Sequence, residues 1–318
     1  MQAVFWEKTG SPCSGKDFME LHKSLFREVS LSDQEVMLSY YKKLNSRSCD
    51  DCFSNLYLWK HLEPMEYQIE DGVLILKSKT PKAYFRYPMG DEEKLPEALD
   101  AMAAYAESEG FLFRLRYVTK EQFGVIDRLC PGKYHFEPTR NYWDYIYETD
   151  KLANLSGRKY HGKKNHINKF LRDYPDWSFE PITDENVEEC FQMGLKWRTL
   201  NDCDELYEKR IEMCVALNSL RLLKELHLTG GLLRVDGQVV AYTIGEKVNE
   251  DTFVVHIEKA LTEIEGAYTV INQQFVEHSM TGIPYVNRED DTGDEGLREA
   301  KESYHPVMMV EKGEVTLQ

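Results

Sequence analysis

The chain has 318 residues, 42% of them apolar, with 39 Lys and Arg against 55 Asp and Glu and a formal net charge of −16. This composition excludes disordered and collagen-like sequence and can fill a core unaided, with about 150 residues for each of two domains. The longest apolar run, Ala101 to Ala106, falls short of the roughly 18 residues a membrane span requires, and Met1 to Lys8 lacks the basic start and apolar block of an export signal. A cytoplasmic protein with no stable membrane insertion is expected.

In chain order, Ser32 starts a helix that runs through Leu44. Tyr67 to Glu70 and Val73 to Leu76 flank Asp71-Gly72, a hairpin signal. Ala83 to Tyr87 reads as a strand, Asp91 to Glu107 as a helix with Leu95, Leu99, Met102 and Ala106 aligned, and Phe111 to Arg116 as a strand. Tyr142 to Tyr147 is an aromatic strand-like run near a junction set at Asp150. Beyond it, Thr183 caps a helix with Val187, Cys190, Phe191, Gly194 and Leu195 on one face, and a second helical stretch spans about Asp204 to Leu226. Leu232 to Val235 and Val239 to Ile244 flank Asp236-Gly237, another hairpin. Thr252 to Glu258 is a strand, Gly266 precedes a helix carrying Tyr268, Ile271 and Phe275, and Ile283 to Val286 is a short strand. Both halves read helix, hairpin, strand, helix, strand. With no low-complexity linker between them, they should share an interface.

Seven cysteines, Cys13, Cys49, Cys52, Cys130, Cys190, Cys203 and Cys214, read as reduced thiols. Cys49-Asp-Asp-Cys52 is the one close pair. It lacks the second CxxC or HxxxH that would complete a zinc site, and its two aspartates oppose a low thiol pKa. No metal site is expected.

The acidic balance has one exception. Ser156 to Arg172 carries six cations and no acid, +6 against −22 for the rest of the chain. At helical spacing, Tyr160, Ile167, Phe170 and Leu171 form a stripe, with Arg158, His161, Asn165, Asn168, Lys169 and Arg172 opposite, Lys164 at the edge and Lys163 within it. Ser156 is the expected N-cap. A helix presenting Arg158, Lys159, His161, Lys163, Lys164, Asn165 and Lys169 suits a polyanion. A solvated surface helix is the plainer reading of such a run.

In the strand Thr252 to Glu258, alternation places His256 and Glu258 on one face, a pair able to accept a proton from an attacking amine or alcohol. A structural hydrogen-bonded pair gives the same pattern. Glu289, Asp290 and Asp291 precede Arg298, Lys301 and Tyr304. These acids can hold an ammonium-bearing substrate together with Arg298 and Lys301, or close into an ion-pair network. Tyr304 can serve as an acid to a leaving group. No G-x-S-x-G, P-loop, Rossmann glycine run or H-E-x-x-H occurs. Direct acyl transfer needs none of them.

The element order is that of the GNAT acyltransferase fold, and two such units in tandem resemble the FemABX-type aminoacyl transferases. The chain resembles above all the bacterial DUF2156 family, itself similar to the soluble C-terminal domain of phosphatidylglycerol lysyltransferases. Three stretches carry the likeness: FSNLYLW at 53–59, LSGRKYHGKKNHINKF at 155–170 and NREDDTGDEGLREAKESY at 287–304. The resemblance implies an α+β, tandem GNAT-like fold of two mixed sheets flanked by helices, with an extension at 1–28, a first domain at 29–150 and a second at 151–318. It implies an aminoacyl or acyl transferase with no covalently bound cofactor, and with aminoacyl-tRNA or acyl-CoA as donor. The acceptor would be a small amine or a lipid headgroup. In GNAT units the loop before the helix that follows the central strands grips the CoA pyrophosphate. Here that loop, Leu261 to Ala267, has one glycine and carries Glu263 and Glu265, which favours a tRNA donor. A non-catalytic module that binds RNA or another polyanion remains the alternative.

Overall fold

The computed structural model describes residues 19–318. Cys13 and most of the 1–28 extension lie outside them. In the first half, β1 (Arg27–Glu28) is followed by α1 (Gln34–Leu44), α2 (Phe53–Leu58), β2 (Met65–Glu70), β3 (Val73–Ser78), α3 (Leu95–Glu109), β4 (Arg114–Thr119), α4 (Lys120–Leu129), β5 (Tyr134–Pro138) and β6 (Asp144–Glu148). After α5 (Thr149–Asn154) come α6 (His161–Asp173), β7 (Trp177–Pro181), α7 (Val187–Leu200), α8 (Tyr207–Arg221), β8 (Thr229–Val235), β9 (Gln238–Lys247), β10 (Thr252–Ala260), α9 (Ala267–Ser279), β11 (Tyr285–Asn287), α10 (Glu295–Glu302), β12 (Met308–Val310) and β13 (Lys312–Leu317).

Both expected hairpins form. Their turn residues have positive φ at both central positions, 48° and 77° at Asp71-Gly72 and 49° and 76° at Asp236-Gly237. That twist matches the flanking strands, and Asp-Gly reaches it at low cost. The expected strand Ala83 to Tyr87 shrinks to a bridge. Phe85, fully buried, joins β3 through Lys77 and β4 through Leu115. Pro81 and Pro88 bracket it and supply no N–H for a longer ladder.

The sheets exchange strands. The order β12-β6-β11-β10-β9-β8-β7 forms one sheet, so β6 from the first half pairs with β11 and β12 of the second. In return β13 lies between β4 and β5 in a three-stranded sheet, here called the first sheet, while β1, β2 and β3 form a three-stranded sheet of their own. A cut at residue 150 therefore does not separate the two sheets, and the linear division into 29–150 and 151–318 is corrected to a reciprocal one. The local pattern of a strand does not reveal its partner.

A buried ion cluster holds the exchange together. Lys312 of β13 is fully buried, and its Nζ lies 2.6 Å from Asp144 Oδ1 of β6 and 2.6 Å from Asp50 Oδ2. The other Asp144 oxygen accepts the Cys49 amide at 2.9 Å and Asn287 Nδ2 at 2.9 Å. Asp50 also takes Arg86 Nη1 at 3.0 Å. Burial works against the Lys312 charge, but Asp144 and Asp50 outweigh it and keep the ammonium.

In the second sheet α7 and α9 cover opposite faces. Tyr242 points at Gly194 of α7, while Gly231, the cross-strand partner of Thr243, backs onto Phe275 of α9. The sheet pairs antiparallel except at β10 and β11, whose parallel register covers only Thr252–Val254 against Tyr285–Asn287. Beyond Val254, β10 continues to Ala260 while β11 stops, and the two strands splay.

Because the seven-stranded sheet holds β6 from the first half and the β4-β13-β5 sheet holds β13 from the second, the chain should unfold in a single transition. Lys312→Met leaves Asp144 and Asp50 buried without their cation, and urea unfolding should report a loss of about 3–5 kcal/mol. Two separated transitions in the unaltered chain, or a loss under about 1 kcal/mol, contradict this reading.

Candidate functional site

The splay brings four elements together. Glu258 stands on β10 past the parallel pairing, and Arg288 directly follows β11. Arg288 Nη2 donates to Glu258 Oε1 at 3.0 Å, and Asn272 Nδ2 of α9 donates to Glu258 Oε2 at 2.9 Å. The Arg288 guanidinium lies 4.8 Å from the Tyr304 ring centre and 5.8 Å from that of Tyr147. Lys163 of α6 sets its ammonium 3.9 Å from the Tyr304 ring. Burial, then the Arg288 charge, lowers the Lys163 pKa, against the pull of Glu258.

Two atoms of this cluster are buried without a partner among the described residues, Asn272 Oδ1 and Arg288 Nη1. One accepts and one donates with positive charge, and both side chains hang on the same carboxylate. An orphaned buried polar atom costs about 1–3 kcal/mol. A water or a ligand bearing a donor and an acceptor would match this pair. Neither residue stands out in the sequence. Asn272 interrupts the buried side of α9 between Ile271 and Phe275 at 2% exposure, and Arg288 ends an apolar strand. An amide or a guanidinium at a core position is the signal that identifies them.

His256 does not join this cluster. A β-bulge between Val255 and Ile257 breaks the alternation, so the expected face shared with Glu258 is lost. The His256 side chain is 1% exposed, with Nδ1 at 2.8 Å from Glu289 Oε1 and Nε2 at 3.1 Å from Glu246 Oε1 and 3.3 Å from Ser54 Oγ. Burial opposes its charge, but hydrogen bonding with Cys52, Glu246 and Glu289 raises its pKa well above the ordinary value. An imidazolium with both nitrogens occupied is not a general base for chemistry at Glu258, and that expectation is corrected. Tyr304 is buried at the splay, where burial raises its pKa and keeps the phenol protonated.

The expected substrate-binding acids are mostly closed upon themselves. The Asp291 side chain is wholly buried and bound by Arg298 Nη2 at 2.8 Å, Arg140 Nη1 at 3.2 Å, the Tyr145 hydroxyl at 2.6 Å and the Gly293 amide at 2.9 Å. Burial pushes its pKa up, but these donors prevail and keep it ionised. Asp291 and Arg298 are therefore a structural ion pair. Lys301, also buried, donates to the Arg288 carbonyl at 2.7 Å and to that of Asp290. It pins the loop that aims Arg288. Glu289 serves His256, and Asp290 faces Lys312 at 3.9 Å.

The basic segment is partly folded inward. A 3-10 turn at Arg158–Tyr160 buries Tyr160 and α6 buries Ile167 and Phe170, while Leu171 is exposed rather than on the apolar stripe. The Ser156 side chain makes no cap, and Gly157 turns the chain with φ 106°. Arg158, Lys159, His161, Lys164 and Asn165 are exposed. Arg158, Lys159 and Lys164 pair with no carboxylate among the described residues, whereas Lys169 pairs with Glu265. The same helix covers the start of α9: a Cβ on Gly266 would lie 2.8 Å from the His166 carbonyl oxygen.

The family model for the C-terminal region of phosphatidylglycerol lysyltransferase matches residues 41–312. The chain belongs to this family. A crystal structure of a conserved protein of unknown function from Bacteroides thetaiotaomicron is 35% identical, covers 92% of this chain and 99% of its own, and superposes with a TM-score of 0.86. L-PGS from Bacillus licheniformis shares the fold at 16% identity, with a TM-score of 0.63 over 91% of this chain and 92% of its own. An uncharacterized protein of Mycoplasmoides gallisepticum is 25% identical over 176 residues, 53% of this chain, and the chain spans about half of that relative, 54%. The α+β, tandem GNAT-like fold expected from the sequence is the one observed. Among the described residues of this family member no helix is long and apolar enough to cross a membrane.

Burial raises the Asp290 pKa to about 7, with Lys312 pulling it down and Asp144 and Asp50 adding to the rise. An unfolded aspartate titrates near ~4, so between these values the folded state holds the extra proton. Stability should therefore fall as pH climbs from about 4 to about 7 and level off above. In thermal unfolding, Asp290→Asn should gain more over the parent chain at pH 8 than at pH 5. An equal difference at both pH values contradicts the assignment.

Proposed function

We propose that the chain is an aminoacyl transferase that moves the acyl group of an aminoacyl-tRNA to an acceptor hydroxyl or amine at the β10–β11 splay. One observation carries the reading: Lys163 rests on the Tyr304 ring at 3.9 Å, and the exposed cations Arg158, Lys159 and Lys164 stand on the same segment. A strongly acidic protein repels nucleic acid generally, and an unpaired cationic ridge beside the reacting groups gives tRNA phosphates one place to dock.

The orphaned atoms suit an aminoacyl ester. Asn272 Oδ1 accepts from its ammonium, and Arg288 Nη1 donates to the carbonyl oxygen as negative charge develops there. The acceptor attacks the carbonyl carbon, the new C–O or C–N bond forms, and the bond to the ribose oxygen breaks. The Tyr304 phenol, kept protonated by burial, gives its proton to the departing ribose oxygen and takes up the acceptor's proton in exchange, while the Lys163 ammonium beside it favours the developing negative charge. The name of the family model makes a phosphatidylglycerol headgroup the first lipid acceptor to test. Acyl-CoA fits less well. The start of α9, where a pyrophosphate would be gripped, is covered by α6, and Glu263 and Glu265 flank it in ion pairs with Lys196 and Lys169.

Transfer is tested with labelled aminoacyl-tRNA, phosphatidylglycerol vesicles or small amines, and the full chain. Asn272→Ala should lower the transfer rate by about 10-fold or more, the loss of one buried hydrogen bond, while tRNA binding persists. Joint replacement of Arg158, Lys159 and Lys164 by Ala should weaken tRNA binding and reduce the slope of log affinity against log salt by about 2–3. Binding without transfer to any acceptor favours a non-catalytic RNA-binding module, and an unchanged salt slope removes the ridge from recognition.

A further inference from the structure

We propose that Cys52, Glu246 and His256 form a binding site for a borderline-soft divalent cation, Zn2+ foremost, which clips the first half of the chain to the second. The site is independent of the transfer chemistry proposed above.

The three side chains come from separate parts of the fold. Cys52 is the residue before α2, Glu246 stands on β9 and His256 is the bulge residue of β10. One sulfur, one nitrogen and one carboxylate oxygen lie within 4.8 Å of one another, with the nitrogen and oxygen 3.1 Å apart. Ligands on a tetrahedral zinc at about 2.0–2.3 Å are separated by roughly 3.3–3.7 Å, so side-chain movements of about 1 Å bring the three atoms onto one ion. The Ser54 hydroxyl, 3.3 Å from His256 Nε2 and hydrogen-bonded to Glu246, faces the same centre and marks the fourth position for itself or a water.

The surroundings are those a zinc-bound histidine requires. Nδ1 of His256 sits 2.8 Å from Glu289, and Asn55 Nδ2 fixes that carboxylate at 3.0 Å. A carboxylate on the outer ring nitrogen sets the tautomer that turns Nε2 toward a metal. Charge argues in the same direction. Two carboxylates and a thiol crowd one buried imidazole, and no Lys or Arg forms an ion pair with Glu246 or Glu289 among the described residues. Zn2+ balanced by a thiolate and one carboxylate leaves the first shell neutral.

The neighbouring donor group sharpens the contrast. Cys49, Asp144 and Asp290 are also gathered, but the Lys312 ammonium fills their centre, 2.6 Å from Asp144 and 3.6 Å from Cys49 Sγ. One cluster of acids and thiol receives a lysine from the chain, whereas the other receives none. The Cys52 thiol instead donates to the Cys49 carbonyl at 3.0 Å, and this proton and the one on His256 Nε2 must both leave for metal to bind.

The full-length chain, stripped with chelator, is titrated with Zn2+ and separately with Co2+. We expect one equivalent bound with proton release, a sulfur-to-cobalt charge-transfer band in the near ultraviolet, tetrahedral cobalt absorption in the visible, and a higher thermal midpoint with Zn2+. Cys52→Ser should lose the charge-transfer band and the thermal gain, whereas Cys214→Ser, at an exposed thiol, should keep both. Glu289→Gln should weaken Zn2+ binding by about 10–100-fold while far-ultraviolet circular dichroism confirms the fold. Failure of the chain to bind one saturating equivalent, or the same cobalt spectrum in Cys52→Ser, overturns the proposal.

Discussion

The fully buried ammonium of Lys312 is the interaction on which the molecule's architecture depends. It lies where β13 enters the first sheet and meets Asp144, the first residue of β6, which has entered the second. With Asp50 drawn in from the loop before α2, one cation joins three distant stretches of chain. Cations and carboxylates taken out of water together repay their desolvation only when every remaining donor and acceptor is matched. Here the Cys49 amide, Asn287 and Arg86 supply those matches. The loop that follows β11 starts from this same knot, so the geometry of Arg288 and Glu289 is inherited from it.

Two consecutive residues distribute two environments. Arg288 goes to Glu258 and α9, while Glu289, held at φ 58°, goes to His256 and α2. The bulge in β10 does the same on the facing strand. Without the extra residue at His256, the histidine and Glu258 would share a face and the carboxylate would compete for Arg288 and the imidazole together. Lys301 holds the loop by its carbonyls, which leaves the Arg288 side chain to be oriented by Glu258 and the aromatic rings.

What the sequence discloses follows what is local. Asp-Gly turns announced both hairpins because their backbone demand falls on two adjacent residues. The amphipathic periods of α1, α3 and α9 survive because one face of each is buried. Strand exchange was illegible: β6 reads as a strand either way, and nothing in Tyr142 to Tyr147 states which sheet accepts it. β13, alternating and half polar, gave no pattern strong enough to register. Alternation singled out Glu258 and the motif 287–304 singled out the loop that carries Arg288, but a bulge defeats alternation and separates His256 from its expected companion. The sequence left open whether Asp291, Arg298 and Lys301 hold a substrate or close on one another; Asp291 and Lys301 are buried because they are paired, and Arg298 is half-buried beside Asp291. Asn272 and Arg288 required three-dimensional neighbours before their unmatched atoms could be counted.

The placement of β13 has a consequence for how the protein is made. During synthesis the first sheet lacks a middle strand until residues 312–317 have left the ribosome. Until then β4 and β5 have unfilled edges, while β6 waits for a sheet not yet translated. The first half therefore cannot mature ahead of the second, and the nascent chain must carry open strand edges until β13 has been made, an interval in which chaperone shielding has the most to protect.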